Sequence, residues 1–196
     1  LVSYYNGSSF DDKNHIWEDL SGNGHDIINC NDIRVDENKE SNNEPFICGT
    51  VNDNILFGRN GNLTRNYTLI HLTKYNGNNR ARIFQAQNYN WLSGHWGGRS
   101  GVCFHDGWMT PQTSLHNSNW VLSVDQAQLY RSNGVKRSTN TGNTRANTSI
   151  AINTGACREL SDWAVAECII FNTILPIKQI MAIEEYLMQK YNITPQ

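Results

Sequence analysis

The 196-residue sequence predicts an all-β protein, an antiparallel β-sandwich closed by one C-terminal α-helix. Short runs of β-branched and aromatic residues alternate with turns of Asn, Gly, Ser and Thr along most of the chain. Helical periodicity is confined to the last segment, whereas βαβ proteins alternate strands and helices throughout. These observations predict a single domain over residues 1–196, without an internal repeat.

The predicted strands follow one another in chain order, each bounded by turn residues. In the first half of the chain they cover residues 1–5, 27–28, 33–35, 46–48, 55–57, 67–75 and 81–85. The tryptophan-rich stretch 91–108 holds two or three more, and residues 119–124, 128–131, 148–152 and 163–171 complete the set. Pro176 suits a first helical position, and apolar residues three or four apart follow it, so we expect a closing helix over about residues 176–191.

Composition argues against several classes of partner. The net charge is −2 and no Lys/Arg stripe is present, so we expect no binding to nucleic acid. No apolar run approaches the roughly 20 residues that span a bilayer. The chain begins without Met, as a mature chain or an excised ectodomain would. Glycosylation sequons, which favour an extracellular glycoprotein, occur at Asn6, Asn62, Asn66, Asn147 and Asn192.

The five cysteines lack a CxxC pair and the spacing of metal ligands, so the sequence does not predict a zinc site. Cys30 and Cys48 flank a polar, charged loop over residues 31–45. We therefore predict a disulfide between them.

Both ends of the chain resemble one family. WEDLSGNGH from Trp17 resembles the opening of laminin-G-like, concanavalin A-like jelly-roll domains. AECIIFN from Ala166, and the residues after it as far as Tyr191, resemble their closing strand and helix. Thr173 and Gln179 depart from the family pattern, which has Arg and an acidic residue there, but neither change should alter the fold. The resemblance brackets nearly the whole chain and implies a concanavalin A-like jelly roll.

That fold serves lectins, adhesion modules, polysaccharide lyases and glycosidases alike, so the resemblance implies little about activity. Domains of this kind often hold a calcium ion at a loop rim. Calcium takes several oxygen ligands, and Asn52, Asp53 and Asn54 offer candidates, although Asn and Asp in turns are usually only turn residues.

The stretch 91–108 is the candidate ligand site. It contains three of the six tryptophans, interrupted by glycines and accompanied by His, Arg and Asp. Aromatic rings cover apolar faces of a ligand, and the polar neighbours can hydrogen-bond its hydroxyl groups. The predicted binding residues, with both histidines and the arginine expected at the surface, are His95, Trp96, Arg99, His105, Asp106 and Trp108. For each of the rings Trp91, Trp96 and Phe104, a position in the core is the favoured alternative.

Catalysis is not predicted. Jelly-roll glycosidases need two carboxylates at a set separation, and no strand carries such a pair. Ser93 lacks the glycines of a nucleophile elbow. We expect an extracellular, lectin-like recognition or adhesion module that binds carbohydrate. The alternatives are a non-catalytic protein–protein interaction module of a larger extracellular or virion protein and, less favoured, a polysaccharide lyase or glycosidase.

Overall fold

The computed structural model describes residues 1–30, 32–113 and 120–195. These residues form sixteen strands, three short 3₁₀-helices and one α-helix. The first eight strands are β1 (Ser3–Asn6), β2 (Phe10–Asp11), β3 (Ile16–Trp17), β4 (Arg34–Asp36), β5 (Phe46–Gly49), β6 (Ile55–Leu56), β7 (Asn62–Leu63) and β8 (Thr68–Tyr75). The last eight are β9 (Phe84–Ala86), β10 (Trp91–Trp96), β11 (Arg99–His105), β12 (Val121–Gln126), β13 (Leu129–Ser132), β14 (Val135–Lys136), β15 (Thr148–Ile152) and β16 (Trp163–Phe171). The 3₁₀-helices are Gly7–Ser9, Lys39–Ser41 and Gly58–Gly61, and α1 covers Ile177–Lys190.

Two sheets stack face to face. The larger has the order β14-β13-β12-β8-β16-β5-β4, with β1 also paired to β16. The smaller has the order β11-β10-β9-β15-β6, with β7 paired to β15, and β2 pairs separately with β3. Every pairing among the described strands is antiparallel. The predicted all-β sandwich is therefore confirmed. Of the predicted strand 119–124, residue 119 lies outside the described residues.

The core has two layers, one on each face of the larger sheet. Between the sheets lies an apolar cluster that includes Trp17, Trp91 and Trp163. On the other face, Ile180 and Leu187 of α1 pack onto the sheet. Because the larger sheet is covered on both faces, its strands β8 and β16 are almost wholly buried.

The predicted closing helix is confirmed over Ile177–Lys190, although Pro176 is its N-cap residue and not its first helical residue. A buried ion pair ties it to the larger sheet: the Arg131 Nη2 atom lies 2.8 Å from the Glu184 Oε2 atom. At its C-terminal end, Lys190 and Tyr191 both donate to the carboxylate of Glu167 on β16. No described helix has the length and apolarity to span a membrane.

The predicted disulfide between Cys30 and Cys48 is wrong for this structure, in which all five cysteines are free. Cys30 belongs to the apolar cluster between the sheets, whereas Cys48 belongs to the cluster beneath α1. The two thiols flank one loop in sequence but point into different layers of the molecule. Flanking a common loop is therefore not sufficient for pairing.

Candidate functional site

The stretch 91–108 forms the β10–β11 hairpin and the turn after it. The register pairs Trp91 with His105 and Ser93 with Cys103, so these four residues share the face toward the larger sheet. Leu92 and Phe104 pair on the opposite, outer face. One hairpin thus supplies both the inside and the outside of the smaller sheet.

A β-bulge determines where Arg99 points. The register shifts between Gly94 and His95, which leaves Gly101 on β11 without a partner. Gly101 has a φ of 76°, a left-handed conformation that favours glycine. Phe104 faces outward, and strict alternation would point Arg99 inward because their positions differ by an odd number. The extra residue, Gly101, reverses this alternation, so Arg99 pairs with Trp96 and points to the outer face.

These residues build what we call the aromatic surface, made of Trp96, Arg99, Phe104, Trp108 and Glu159. The Trp96 and Trp108 ring centroids are 5.1 Å apart, and those of Phe104 and Trp108 are 5.2 Å apart. The Arg99 guanidinium lies 5.0 Å from the Trp96 ring centroid, within the range of a cation–π interaction. All three rings and Arg99 are half-buried, so each ring rests on the sheet and keeps part of its surface exposed to solvent.

Glu159 belongs to the aromatic surface, although the sequence did not predict it as a binding residue. Its Oε1 atom accepts a hydrogen bond from Trp96 Nε1 at 3.3 Å, and its other oxygen is ion-paired with the nearly buried Arg82. Glu159 lies in the connection between β15 and β16, 63 positions from Trp96. No local pattern marks such a contact, because the connection has to fold back across the sheet to make it.

The two predicted histidines lie on the inner side of the same hairpin. His95 is 1% exposed, and its Nδ1 atom lies 3.4 Å from Thr73 Oγ1. His105 is 0% exposed and stacks on Trp91, with ring centroids 5.3 Å apart. Their expected surface position is therefore wrong: strand alternation turns both side chains toward the larger sheet. Whether they contribute to ligand binding stays an untested prediction.

His105 belongs to a buried cluster with Cys103 and Asp125, all of them 0% exposed. His105 Nε2 lies 3.1 Å from the Cys103 Sγ atom and 3.2 Å from the Asp125 Oδ2 atom, and Cys103 Sγ lies 3.3 Å from that oxygen. Burial acts to raise the pKa of the Asp125 carboxyl. His105 and the surrounding hydroxyl donors outweigh burial, so the pKa of Asp125 lies below its usual value. Burial and the neighbouring Asp125 raise the pKa of the Cys103 thiol well above its usual value. This cluster could not be predicted from the sequence, because Asp125 comes from another strand.

Asp106 lies in a separate depression, the polar cleft, rather than in the aromatic surface. The cleft has a volume of about 670 Å³ and is lined by Arg65, Asn66, Asp106, Ala127, Gln128, Thr141, Gly142, Asn143, Thr144, Arg145, Ala146 and Ile174. Asp106 forms an ion pair with Arg145, whose guanidinium lies 4.7 Å from the Tyr89 ring centroid. The six predicted binding residues thus divide among the aromatic surface, the interior and this cleft.

The candidate calcium ligands lie in the turn after β5. The Asp53 carboxylate accepts hydrogen bonds from the Thr50 backbone N–H at 2.7 Å and from the Thr50 hydroxyl at 2.8 Å. The Asn52 backbone N–H donates to that same Thr50 hydroxyl. These contacts are those of a side chain that closes a turn. Calcium binding at Asn52, Asp53 and Asn54 stays a prediction.

The two stacked antiparallel sheets form a β-sandwich, and comparison with solved structures supports that fold. Domain 4 of an extracellular GH43 arabinanase from Geobacillus stearothermophilus, in complex with arabinotriose, is 15% identical with a TM-score of 0.64, and the match covers 94% of this chain and 98% of that one. The binding domain of Paraclostridial mosquitocidal protein 1 is 16% identical with a TM-score of 0.61, covering 95% of this chain and 52% of that one. The botulinum neurotoxin serotype G binding domain is 10% identical with a TM-score of 0.60, covering 94% and 50%.

This chain therefore spans about half the length of the two toxin domains. No protein-family model and no curated protein matches the sequence. At these identities the likeness establishes the shared fold alone.

Proposed function

We propose that this protein is a non-catalytic carbohydrate-binding module of an extracellular protein, and that the aromatic surface is its ligand-binding face. The observation that carries the proposal is the half-buried pair Trp96 and Trp108, flanked by Arg99 and Glu159. Rings held in this way present a fixed apolar face beside a guanidinium and a carboxylate.

Sugars match this chemistry. The C–H groups on one face of a pyranose or furanose ring can stack on an indole, which is apolar and rigid. The Arg99 guanidinium offers several N–H donors to hydroxyl oxygens, and Glu159 accepts from hydroxyl protons. Because Glu159 is already held by Trp96 and Arg82, its orientation is fixed before a ligand arrives. Such preorganisation lowers the entropic cost of binding.

The comparisons support a carbohydrate ligand in general terms. The arabinanase domain is similar over nearly the whole length of both chains, and its structure is a complex with arabinotriose. Two further similar structures are binding domains of toxins. Arabinotriose and related oligosaccharides are therefore the first ligands to test.

A non-catalytic role is supported by the composition of the aromatic surface. Hydrolysis of a glycosidic bond by the common route uses two carboxylates flanking the bond. The aromatic surface as defined contains one carboxylate, Glu159, which forms an ion pair with Arg82. Incubation with arabinan, alginate and laminarin should leave the polysaccharides at their original length, and shortened products would contradict the proposal.

A glycan array probed with the purified protein, with and without calcium, tests the proposal directly. We expect binding to a subset of glycans. Failure to bind any glycan under either condition would reject the carbohydrate proposal and favour the alternative, in which the same surface binds a protein partner. A requirement for calcium would support the predicted ion at Asn52, Asp53 and Asn54.

A further inference from the structure

The buried cluster of Cys103, His105 and Asp125 has the composition of a metal site. Among the described residues it is the group of three His, Cys, Asp or Glu side chains whose ligand atoms converge closely enough to hold one ion. Cys103 and His105 are two residues apart on β11 and so share a face, while Asp125 reaches them from β12 in the opposite sheet. The three ligand atoms are 3.1 to 3.3 Å from one another.

Neighbouring hydroxyl groups orient two of these ligands. The Thr144 hydroxyl donates to the Ala127 carbonyl at 3.2 Å, so its oxygen accepts from His105 Nδ1–H at 2.7 Å. The imidazole therefore faces Cys103 and Asp125 with its Nε2 atom, which can bind a metal ion once its proton is released. On the other side, the Tyr67 hydroxyl donates to Asp125 Oδ1 at 2.6 Å. In protein metal sites, the side chains that bind the metal are usually held in orientation by hydrogen bonds from surrounding residues.

We propose that this cluster binds a zinc ion through Cys103 Sγ, His105 Nε2 and an oxygen of Asp125. Thiolate, imidazole and carboxylate together are typical zinc ligands, whereas calcium and magnesium prefer oxygen alone. A divalent ion also balances the charge: one thiolate and one carboxylate, both 0% exposed, neutralise it fully. A monovalent copper ion would leave one negative charge uncompensated in the interior.

The spacing is compatible with such an ion. Bond lengths of about 2.0 to 2.3 Å around tetrahedral zinc separate neighbouring ligand atoms by about 3.4 to 3.6 Å. The observed separations are a few tenths of an ångström shorter, as expected where hydrogen bonds link the same atoms. Small side-chain rotations would therefore open the cluster. Met109 lies beside it, with its Sδ atom 3.7 Å from Cys103 Sγ.

The polar cleft borders the cluster on one side. Thr144 is half-buried and lines that cleft, and its hydroxyl is in direct contact with His105. The segment that contains Thr144 separates the cluster from solvent on this side. A zinc ion bound here would link β11 and β12 and hold this segment over them.

Titration of the metal-free protein with Co²⁺ tests the site, because a cobalt–thiolate bond gives a charge-transfer absorption that oxygen and nitrogen ligands do not. We expect one Co²⁺ per chain with this absorption, its displacement by Zn²⁺, and a rise in melting temperature with either ion. Cys103→Ser should abolish the absorption and weaken Co²⁺ affinity at least tenfold. Cys168→Ser is the matched control, since Cys168 is equally buried but lies in the apolar cluster between the sheets. This variant should retain both the absorption and the Co²⁺ affinity.

A wild-type protein without the charge-transfer absorption would overturn the proposal, as would a folded Cys103→Ser variant that keeps it. The wild-type titration decides the question even if Cys103→Ser does not fold. Neither result depends on whether the aromatic surface binds a sugar.

Discussion

Substitution of His71 should change how the stability of the protein depends on pH. His71 lies on β8 and is 0% exposed between the sheets. Its Nδ1 atom lies 3.1 Å from Thr73 Oγ1, its Nε2 atom lies 3.0 Å from Ser93 Oγ, and its ring stacks on Phe84. Burial lowers the pKa of His71 to about 3, although the negative charge of Asp125 acts in the opposite direction.

The direction of this pH dependence follows from proton linkage. The unfolded chain binds a proton at His71 near pH 6.5, whereas the folded protein resists protonation until about pH 3. Above pH 6.5 both states are neutral at His71, and there is no effect. As the pH falls from 6.5 toward 3, the unfolded state is increasingly favoured by about 1.4 kcal/mol per pH unit. At about pH 4.5 the expected loss from this one residue is roughly 2.7 kcal/mol.

Urea denaturation of the wild type and of His71→Gln measures the loss of stability that His71 causes at low pH. Unfolding free energies at about pH 7.5 and pH 4.5, with chelator present, give the loss for each protein. The wild type should lose roughly 2.7 kcal/mol more than the variant between the two pH values. Since other acidic groups titrate equally in both proteins, their contribution cancels. An identical loss in both would refute the conclusion that His71 stays neutral in the folded protein.

Three further predictions concern the framework of the sandwich. Glu184→Ala should lower the unfolding free energy by about 3–5 kcal/mol in urea denaturation, because Arg131 remains as an unpaired buried charge. The double variant Arg131→Met/Glu184→Leu should recover most of the loss. Equal stability of Glu184→Ala and the wild type would contradict this prediction. Gly101→Val should cost about 1–2 kcal/mol or more by the same measurement, because a β-branched residue disfavours a φ of 76°; an unchanged stability would mean that the bulge is not needed. A thiol assay on unfolded, unreduced protein should count five free thiols, and a count of three or fewer would show that a disulfide does form.

The architecture was predictable because its signals are local. Most strands were marked by β-branched and aromatic runs between turn residues, although the predicted strand 27–28 is only an isolated bridge at Ile27. The closing helix was marked by Pro176 and by the spacing of Ile180 and Leu187, which do pack on the sheet. Alternation also correctly separated Trp91, Ser93 and His95 from Trp96 along β10, although it could not say which face is exposed.

What the sequence could not supply depends on contacts between distant segments. Both faces of the hairpin carry aromatic and polar residues, so only its position against the larger sheet places His95 and His105 inside. Arg99 reaches the outer face because of the bulge at Gly101, which turn statistics do not distinguish from an ordinary glycine. Glu159 arrives from a connection far along the chain. The layer into which a cysteine points likewise depends on sheet pairing.

Calorimetric titration with an oligosaccharide selected on the glycan array tests the claim that Trp96 and Trp108 form a carbohydrate-binding face. Trp96→Ala and Trp108→Ala should each weaken binding at least tenfold, about 1.4 kcal/mol, while circular dichroism shows an intact sandwich. Tyr186→Ala removes an aromatic ring that is 61% exposed on α1 and should leave affinity unchanged. Full affinity in both folded tryptophan variants would contradict the claim and place the ligand elsewhere on the molecule.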